Sequence, residues 1–180
     1  MIIYLLSGWS GSGKDTVASF LKTYGFQRYS FADELKRMVA DEFQFPYELT
    51  QTQEGKQQLV GTTGKTVRDL LIQRGKEIKL ERHDPGFFAT IVVHKLLKET
   101  PEKVVITDWR LSVEYDVLKQ SLENVAKLVT IRVKRLTQTC SPVNDAVTEH
   151  ELDEFPFDII LENKGTRLEE LEEEVSKKLV

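Results

Sequence analysis

The segment Gly8-Trp9-Ser10-Gly11-Ser12-Gly13-Lys14-Asp15-Thr16 carries the most readable chemistry in this sequence. It matches G-x-x-x-x-G-K, a spacing in which glycines let the backbone curl around an anion so that successive N–H groups point inward. A helix starting near Lys14 adds the positive end of its dipole beneath bound phosphates, and the Lys14 ammonium reaches the β- and γ-phosphates. Gly8, Gly11, Ser12, Gly13, Lys14, Asp15 and Thr16 are therefore candidate ATP-binding residues. Asp15 stands where Ser or Thr is usual, which leaves the Thr16 hydroxyl as the candidate phosphate or Mg²⁺ partner, directly or through water.

Phosphoryl transfer spreads negative charge over oxygens in flight, so a protein that performs it supplies positive groups and geometry. Arg132 and Arg135 stand at and just beyond the end of an apolar run, before a polar segment, Thr137 to Asp145, that reads as a closing lid. With Lys14 and Arg110 they make the candidate catalytic set. Arg68 and Arg74 fall on a helical pattern after a long polar stretch, where solvated charge is the commoner role. Asp108 ends another apolar run, at the sheet edge where open α/β proteins place ligands. It either holds Mg²⁺ or its waters, alongside Thr16, or caps the helix that follows.

Two further motifs are rejected. Gly61-Thr62-Thr63-Gly64-Lys65-Thr66 imitates a second phosphate loop, but Leu59 stands where its first glycine belongs and no buried strand precedes it. Asn163-Lys164-Gly165-Thr166 imitates a guanine-reading motif, but Thr166 replaces the aspartate that would accept from the guanine amino group. His83, His94 and His150 are scattered without metal or triad spacing, and the lone Cys140 has no partner for a disulfide or a zinc site.

These residues need elements to hold them. Ile2 to Ser7 is a continuous apolar run, the pattern of a strand buried on both faces, and Val17, Phe20, Leu21 and Tyr24 follow at helical spacing up to Gly25. Gln27 to Phe31 reads as a short strand, with Asp33 as N-cap of a helix facing inward through Leu35, Met38 and Val39. Gln44 to Gly64 reads as a long loop. Helices are expected over Thr66 to Glu81, Gly86 to Lys98, Val113 to Ser121 and Thr166 to Leu179, and strands over Val104 to Thr107, Leu128 to Val133 and Phe157 to Leu161. The alternation gives an α/β P-loop fold of three layers, a central parallel sheet with helices on both faces. The acidic run Glu169 to Glu174 is interrupted by Leu171 on the apolar stripe and reads as a solvated helix face.

With 180 residues, 40% hydrophobic and 30% charged, the chain has the apolar content for one globular domain. A net charge of −4 offers no global positive field for a nucleic-acid backbone, so any anion site is built locally. No apolar run approaches the roughly 20 residues of a membrane span, and none resembles a signal peptide. The expected partners are small-molecule nucleotides, with no nucleic acid and no membrane. The expected compartment is the cytoplasm, and the chain is a monomer or homodimer.

Gly8 to Thr16, Ser30-Phe31-Ala32-Asp33-Glu34-Leu35-Lys36, Thr66-Val67-Arg68-Asp69-Leu70-Leu71 and Ile106-Thr107-Asp108-Trp109-Arg110 together resemble deoxynucleoside monophosphate kinases of the phage and viral type. These belong to the P-loop nucleoside monophosphate kinase superfamily. Phe157-Asp158-Ile159-Ile160, followed by Asn163-Lys164-Gly165-Thr166 and an acidic helix, resembles the end of the same family. The likeness covers nearly the whole chain, although only the P-loop is specific by itself.

The resemblance implies one domain, 1–180, with a core of 1–31, 100–133 and 153–180, a helical acceptor-binding excursion over about 32–99 and a short lid over about 134–152. It implies that Phe31, Asp33, Lys36 and Arg68, with Arg74, meet the acceptor nucleotide and that Arg110 lies near its phosphate. Arg132 and Arg135 would steady the transferring group, and Asn163 and Gly165 would sit near the ATP base. The implied activity is Mg²⁺-dependent transfer of the γ-phosphoryl group of ATP to a (deoxy)nucleoside monophosphate. Trp109-Arg110-Leu111 departs from the family's Asp-Val-Arg-Phe-Pro pattern, which leaves base and sugar open. Gly-Lys-Asp is also similar to phosphomevalonate kinases, so another phosphorylated metabolite is an alternative acceptor. A non-catalytic nucleotide-dependent module is the third reading.

Overall fold

Buried strands need every backbone group paired and both faces covered, and the chain meets this with one parallel sheet. In the computed structural model, which describes residues 1–61, 63–137 and 150–180, the strands are β1 (Ile2–Ser7), β2 (Gln27–Tyr29), β3 (Lys103–Ile106), β4 (Lys127–Arg135) and β5 (Ile159–Asn163). Their order is β2-β3-β1-β4-β5. Every pairing is parallel, with Leu5 opposite Ile106 on one side of β1 and Thr130 on the other. β1 therefore lies where the strand order reverses, the place at which the loops beyond the carboxyl ends diverge and leave a crevice.

The helices are α1 (Lys14–Thr23), α2 (Ala32–Glu42), α3 (Gln53–Lys56), α4 (Val67–Glu81), α5 (Phe87–Glu99), α6 (Ser112–Leu122) and α7 (Leu168–Leu179). The chain divides into two compact units, residues 1–30 with 92–180, and residues 31–91.

In the first unit, Leu6, Val105, Ile131, Val133 and Leu161 from the strands close a core with Val17, Ala18 and Leu21 of α1 and Leu171, Val175 and Leu179 of α7. Strand pleating sends Ile3 and Leu5 to the opposite face, and both are fully buried, so that face is covered too. Tyr4 ties the last helix down by donating its hydroxyl to the Leu179 carbonyl at 2.8 Å. Burial pushes the Tyr4 phenol above its ordinary pKa.

The second unit packs Val39, Val60, Val67 and Leu70 together, with Leu35, Phe43, Phe45, Leu49 and Leu71 against them. α2 and α4 come close because Gly75 has no side chain: a Cβ there would stand 3.0 Å from Leu35 Cδ2. α4 begins with a capping box, in which the Asp69 amide donates to Thr66 Oγ1 at 3.2 Å and the Thr66 amide donates to Asp69 Oδ2 at 3.0 Å. Gly64-Lys65-Thr66 is thus the end of a short turn, closed by the Val60 amide on the Lys65 carbonyl at 3.0 Å, that leads into a helix cap.

Several expectations differ from the structure: β2 stops at Tyr29, β4 runs on to Arg135 and the last helix begins at Leu168. Gln44 to Gly64 is not a plain loop: it holds a 3-10 turn, Tyr47–Thr50, and the single turn α3, whose N-cap Thr52 accepts from the Gly55 amide at 2.9 Å. Elements of four residues are too short to show a hydrophobic period. Asp33 is not an N-cap: α2 starts two residues earlier than that would place it, at Ala32, with Phe31 at the cap position and no side-chain cap bond, and Asp33 lies in the first turn. There its charge complements the helix dipole. β5 begins at Ile159, two residues after the sequence suggests, because Asp158 accepts from the Thr130 amide and hydroxyl, both at 2.8 Å, and so ends the turn before the strand. Cys140 and most of the expected lid over 134–152 lie outside the described residues. Among the described residues, no helix is long and apolar enough to cross a membrane.

Candidate active site

The loop from Gly8 to Gly13 joins the central strand to α1, and its shape depends on what surrounds it. A Cβ at Gly8 would strike the Val133 carbonyl oxygen, so the loop backbone presses on the end of β4. Gly13 is the N-cap of α1 with φ 108°, and a Cβ there would meet Asn163 Nδ2 at 2.7 Å. Both positions exclude side chains, by conformation and contact together. Within the loop the Ser12 amide donates to the Trp9 carbonyl at 3.0 Å. The first intrahelical bond of α1 runs from the Val17 amide to the Gly13 carbonyl at 2.9 Å, so the amides of Lys14, Asp15 and Thr16 precede the helical ladder, as in an anion-binding helix start.

Three side chains brace this loop. Lys14 Nζ donates to the carbonyls of Gly8 at 2.6 Å and Trp9 at 2.9 Å. Asn163 Nδ2, at the end of β5, donates to the Ser12 carbonyl at 2.9 Å, while its Oδ1 accepts from the Gly165 amide at 2.9 Å. Arg135 Nη1 donates to the Gly11 carbonyl at 3.3 Å, and its guanidinium lies where a Cβ on Gly165 would come within 3.1 Å. Lys14, Arg135, Asn163 and Gly165 are thus brought to the same loop. Ser12 Oγ and Trp9 Nε1 are buried without a hydrogen-bond partner among the described residues.

Asp108 follows β3 by two residues, and Ser30 follows β2 by one. Ser30 Oγ donates to Asp108 Oδ2 at 2.7 Å. The capping role that Asp108 might have taken belongs to Glu114, whose Oε2 accepts from the amides of Arg110 and Leu111, each at 3.1 Å. The turn is fixed from inside by Trp109, fully buried against Tyr115, Phe155 and Phe157, with its indole N–H donated to the Leu111 carbonyl at 2.9 Å.

Arg132 is buried. Its Nη1 donates to Ser7 Oγ at 3.0 Å, its Nη2 pairs with Asp153, and its guanidinium lies over the Phe157 ring, 5.6 Å from the centroid. Asp153 also bonds His150 Nδ1 at 2.7 Å, and the His150 ring meets Trp9 edge-on with centroids 5.6 Å apart. A chain of contacts therefore links Ser7, the last residue of β1, through Arg132 within β4, Asp153 and His150 to Trp9 of the loop.

In the second unit, Asp33 and Lys36 form an ion pair at 3.3 Å, Phe31 is buried, and Arg68 Nη2 donates to Gln53 Oε1 at 2.5 Å. Arg74 is held by three carboxylates, Glu42 at 2.9 Å, Glu77 at 3.3 Å and Glu81 at 3.0 Å. The Glu42 carboxylate, followed by that of Glu81, raises Arg74 above the ordinary arginine value.

Sequence reasoning missed Ser7, Ser30, Asp153 and Glu114, and treated His150 as isolated. Only the strand pairing that makes β2 and β3 neighbours shows that Ser30 and Asp108 meet. The amides and lysine gathered at the loop suit a phosphate, and the Thr16 hydroxyl and Asp108 carboxylate are of the oxygen class that a hard cation takes. Among the described residues, no three His, Cys, Asp or Glu side chains gather as a metal cluster.

The strand order and the loop between β1 and α1 define a P-loop α/β protein. No protein-family model matches the sequence. No curated protein matches it either. Among solved structures, TT1252 from Thermus thermophilus is similar at a TM-score of 0.53 and 18% identity, over 100% of this chain and 98% of that one. A dephospho-CoA kinase from Campylobacter jejuni follows at 0.47 and 18% identity, over 98% and 95% of the two chains. A shikimate kinase from Bacteroides thetaiotaomicron stands at 0.46 and 14% identity, also over 98% and 95%. The likeness to TT1252 is one of fold, and the two weaker matches add no argument to it.

Proposed function

We propose that this protein is a kinase that transfers the γ-phosphoryl group of ATP to a small phosphorylated acceptor, a nucleoside monophosphate, with release of ADP. The observation that carries the reading is the Gly8 to Lys14 loop, braced by Asn163 and Arg135 between a buried strand and a helix start. The loop amides and Lys14 hold the donor phosphates. Arg135 and Arg110 neutralise charge on the transferring group, and buried Arg132 acts on the same loop through Ser7. Mg²⁺, when bound by Thr16 and Asp108, would supply charge neutralisation on the donor phosphates.

The acceptor is assigned to the excursion over about 32–99, with Phe31, Asp33, Lys36 and Arg68 as its contacts. Arg74, already held by three carboxylates, is assigned to joining α2 and α4. An acceptor phosphate is largely ionised near neutral pH, so alignment and exclusion of water serve in place of a general base.

The test is ADP release from Mg·ATP with each ribo- and deoxynucleoside monophosphate, and with phosphomevalonate as an outgroup. Stimulation by one or a few deoxynucleotides is expected. Stimulation by phosphomevalonate alone moves the acceptor class, and ATP binding with no acceptor-dependent turnover replaces the kinase reading with a nucleotide-dependent module.

A further inference from the structure

We infer that Asn163 is a positioning residue that holds the peptide between Ser12 and Gly13 with its N–H turned to the donor phosphates; this rests on the reading of the loop given above. Asn163 is the last residue of β5. Its Nδ2 donates to the Ser12 carbonyl at 2.9 Å, and its Oδ1 accepts from the Gly165 amide at 2.9 Å. The two partners fix the carboxamide, because turning it over would set oxygen against oxygen and N–H against N–H. A peptide unit is planar and trans, so its C=O and N–H point opposite ways. The bond that draws the Ser12 carbonyl to Asn163 therefore directs the Gly13 N–H away from it.

That amide needs its own hold. The first intrahelical bond of α1 comes from the Val17 amide, so the amides of Gly13, Lys14, Asp15 and Thr16 lie ahead of the ladder. The helix aims those of its own residues, Lys14, Asp15 and Thr16. Gly13 has φ 108° and precedes the helix, so the helix does not aim its N–H. A peptide followed by glycine also turns over at little cost, since glycine adopts φ of either sign. Asn163 supplies the constraint that the backbone lacks at this one peptide.

The direction of approach matters as well. A Cβ on Gly13 would meet Asn163 Nδ2 at 2.7 Å and Leu171 Cδ2 at 3.6 Å. Leu171 is buried in the core that α7 shares with α1, so Asn163 reaches the loop from the core side, and the N–H on the far side of the peptide faces away from that core. Lys14 and Arg135 donate to other carbonyls of the loop, those of Gly8, Trp9 and Gly11. A carboxamide adds its hydrogen bond without adding charge, so it orients the peptide and leaves attraction of the phosphates to the amides and Lys14.

The experiment measures binding of ATP and of tripolyphosphate, which has no base, to the full-length protein by calorimetry with Mg²⁺ present, and follows the Gly13 amide by NMR of protein carrying isotopically labelled glycine. Asn163→Leu keeps the bulk and removes the donor; should it fail to fold, Asn163→Ala reads the same quantities. Each variant is expected to weaken both ligands by the same factor, about 5-fold, the worth of one neutral hydrogen bond. The shift of the Gly13 amide on adding tripolyphosphate should shrink in the same variants. Wild-type affinities in both variants, or equal weakening with an unchanged Gly13 shift, overturns the inference. A fall for ATP alone, with tripolyphosphate at the wild-type value, makes Asn163 a contact of the base and overturns it too. A wild-type protein that binds neither ligand overturns the loop reading and the inference together, whereas ATP binding without acceptor-dependent ADP release overturns the kinase reading alone.

Discussion

Lys14 donates to the carbonyls of Gly8 and Trp9, so its ammonium is placed by the loop that its own sequence motif builds. Replacing it by alanine removes the one loop side chain that carries positive charge. Lys14→Ala is expected to lower acceptor-dependent ADP release by about 10²–10³-fold, the effect of losing a key charge-stabilising donor, about 3–4 kcal/mol of barrier. Near-normal turnover would remove Lys14 from the mechanism. Arg132 and Asp153 make a different kind of pair. The arginine side chain is 7% exposed and the aspartate 31%, so the pair is buried on one side only. Asp153→Ala leaves a buried guanidinium with Ser7 and the Phe157 ring. We expect a loss of about 2–3 kcal/mol in urea unfolding, below the ~3–5 kcal/mol of a fully buried pair because water reaches Asp153. No measurable loss would mean that Ser7 and the ring suffice. At this scale the sequence disclosed Lys14 through seven adjacent positions, Gly8 to Lys14, and the structure places its ammonium on the carbonyls of that loop. It disclosed Arg132 as an arginine at the end of an apolar run, whereas β4 runs on to Arg135, and it disclosed nothing of its partners, which lie 125 and 21 residues away in the chain.

α4 starts as it does because Thr66 and Asp69 satisfy each other's amides, three residues apart. Thr66→Ala should destabilise the protein by about 1 kcal/mol, the usual value of an N-cap, measured from the urea midpoint. The same box gives a pH dependence. The hydrogen bond from Thr66 holds the Asp69 carboxyl below its ordinary value of 3.8. Because the folded-state pKa is depressed, the contribution is fully present above that ordinary value and is lost as pH falls through the lowered one. Unfolding midpoints of wild type and Asp69→Asn should therefore converge as pH drops below about 4, starting from a wild-type advantage at neutral pH. Parallel midpoints at every pH would show that the carboxylate charge plays no part. The main elements were readable because apolar residues recur every two or every three to four positions. The short turns over Tyr47–Thr50 and Gln53–Lys56 were not, because four residues cannot establish a period, and their stability comes from Thr52 and from packing.

For the molecule as a whole, ligand binding and stability are linked. ADP with Mg²⁺ at about 100 times its dissociation constant should stabilise the native state by about 2.7 kcal/mol. In a chain of this size that corresponds to a rise in Tm of about 5–10 °C. Lys14→Ala should show a smaller rise at the same ligand concentration, and an unchanged protein with ligand would mean that the loop does not hold nucleotide. A net charge of −4 makes this a local effect, since the positive groups at the loop act against the overall field.

The sequence by itself determined the phosphate loop and the alternation of strands and helices, because both depend on neighbours along the chain. It also carried the rejection of the second Gly-Lys-Thr motif, which the fold uses as the turn into a helix cap. Only the tertiary structure decided the strand order β2-β3-β1-β4-β5, and with it which side chains meet. Ser30 reaches Asp108 across 78 residues, Asn163 reaches the Ser12 carbonyl across 151, and Arg132 reaches Ser7 across 125. Such pairs leave no periodic or local signature, since their spacing in sequence is set by loop and helix lengths, whereas their spacing in space is set by hydrogen-bonded strands about 4.8 Å apart.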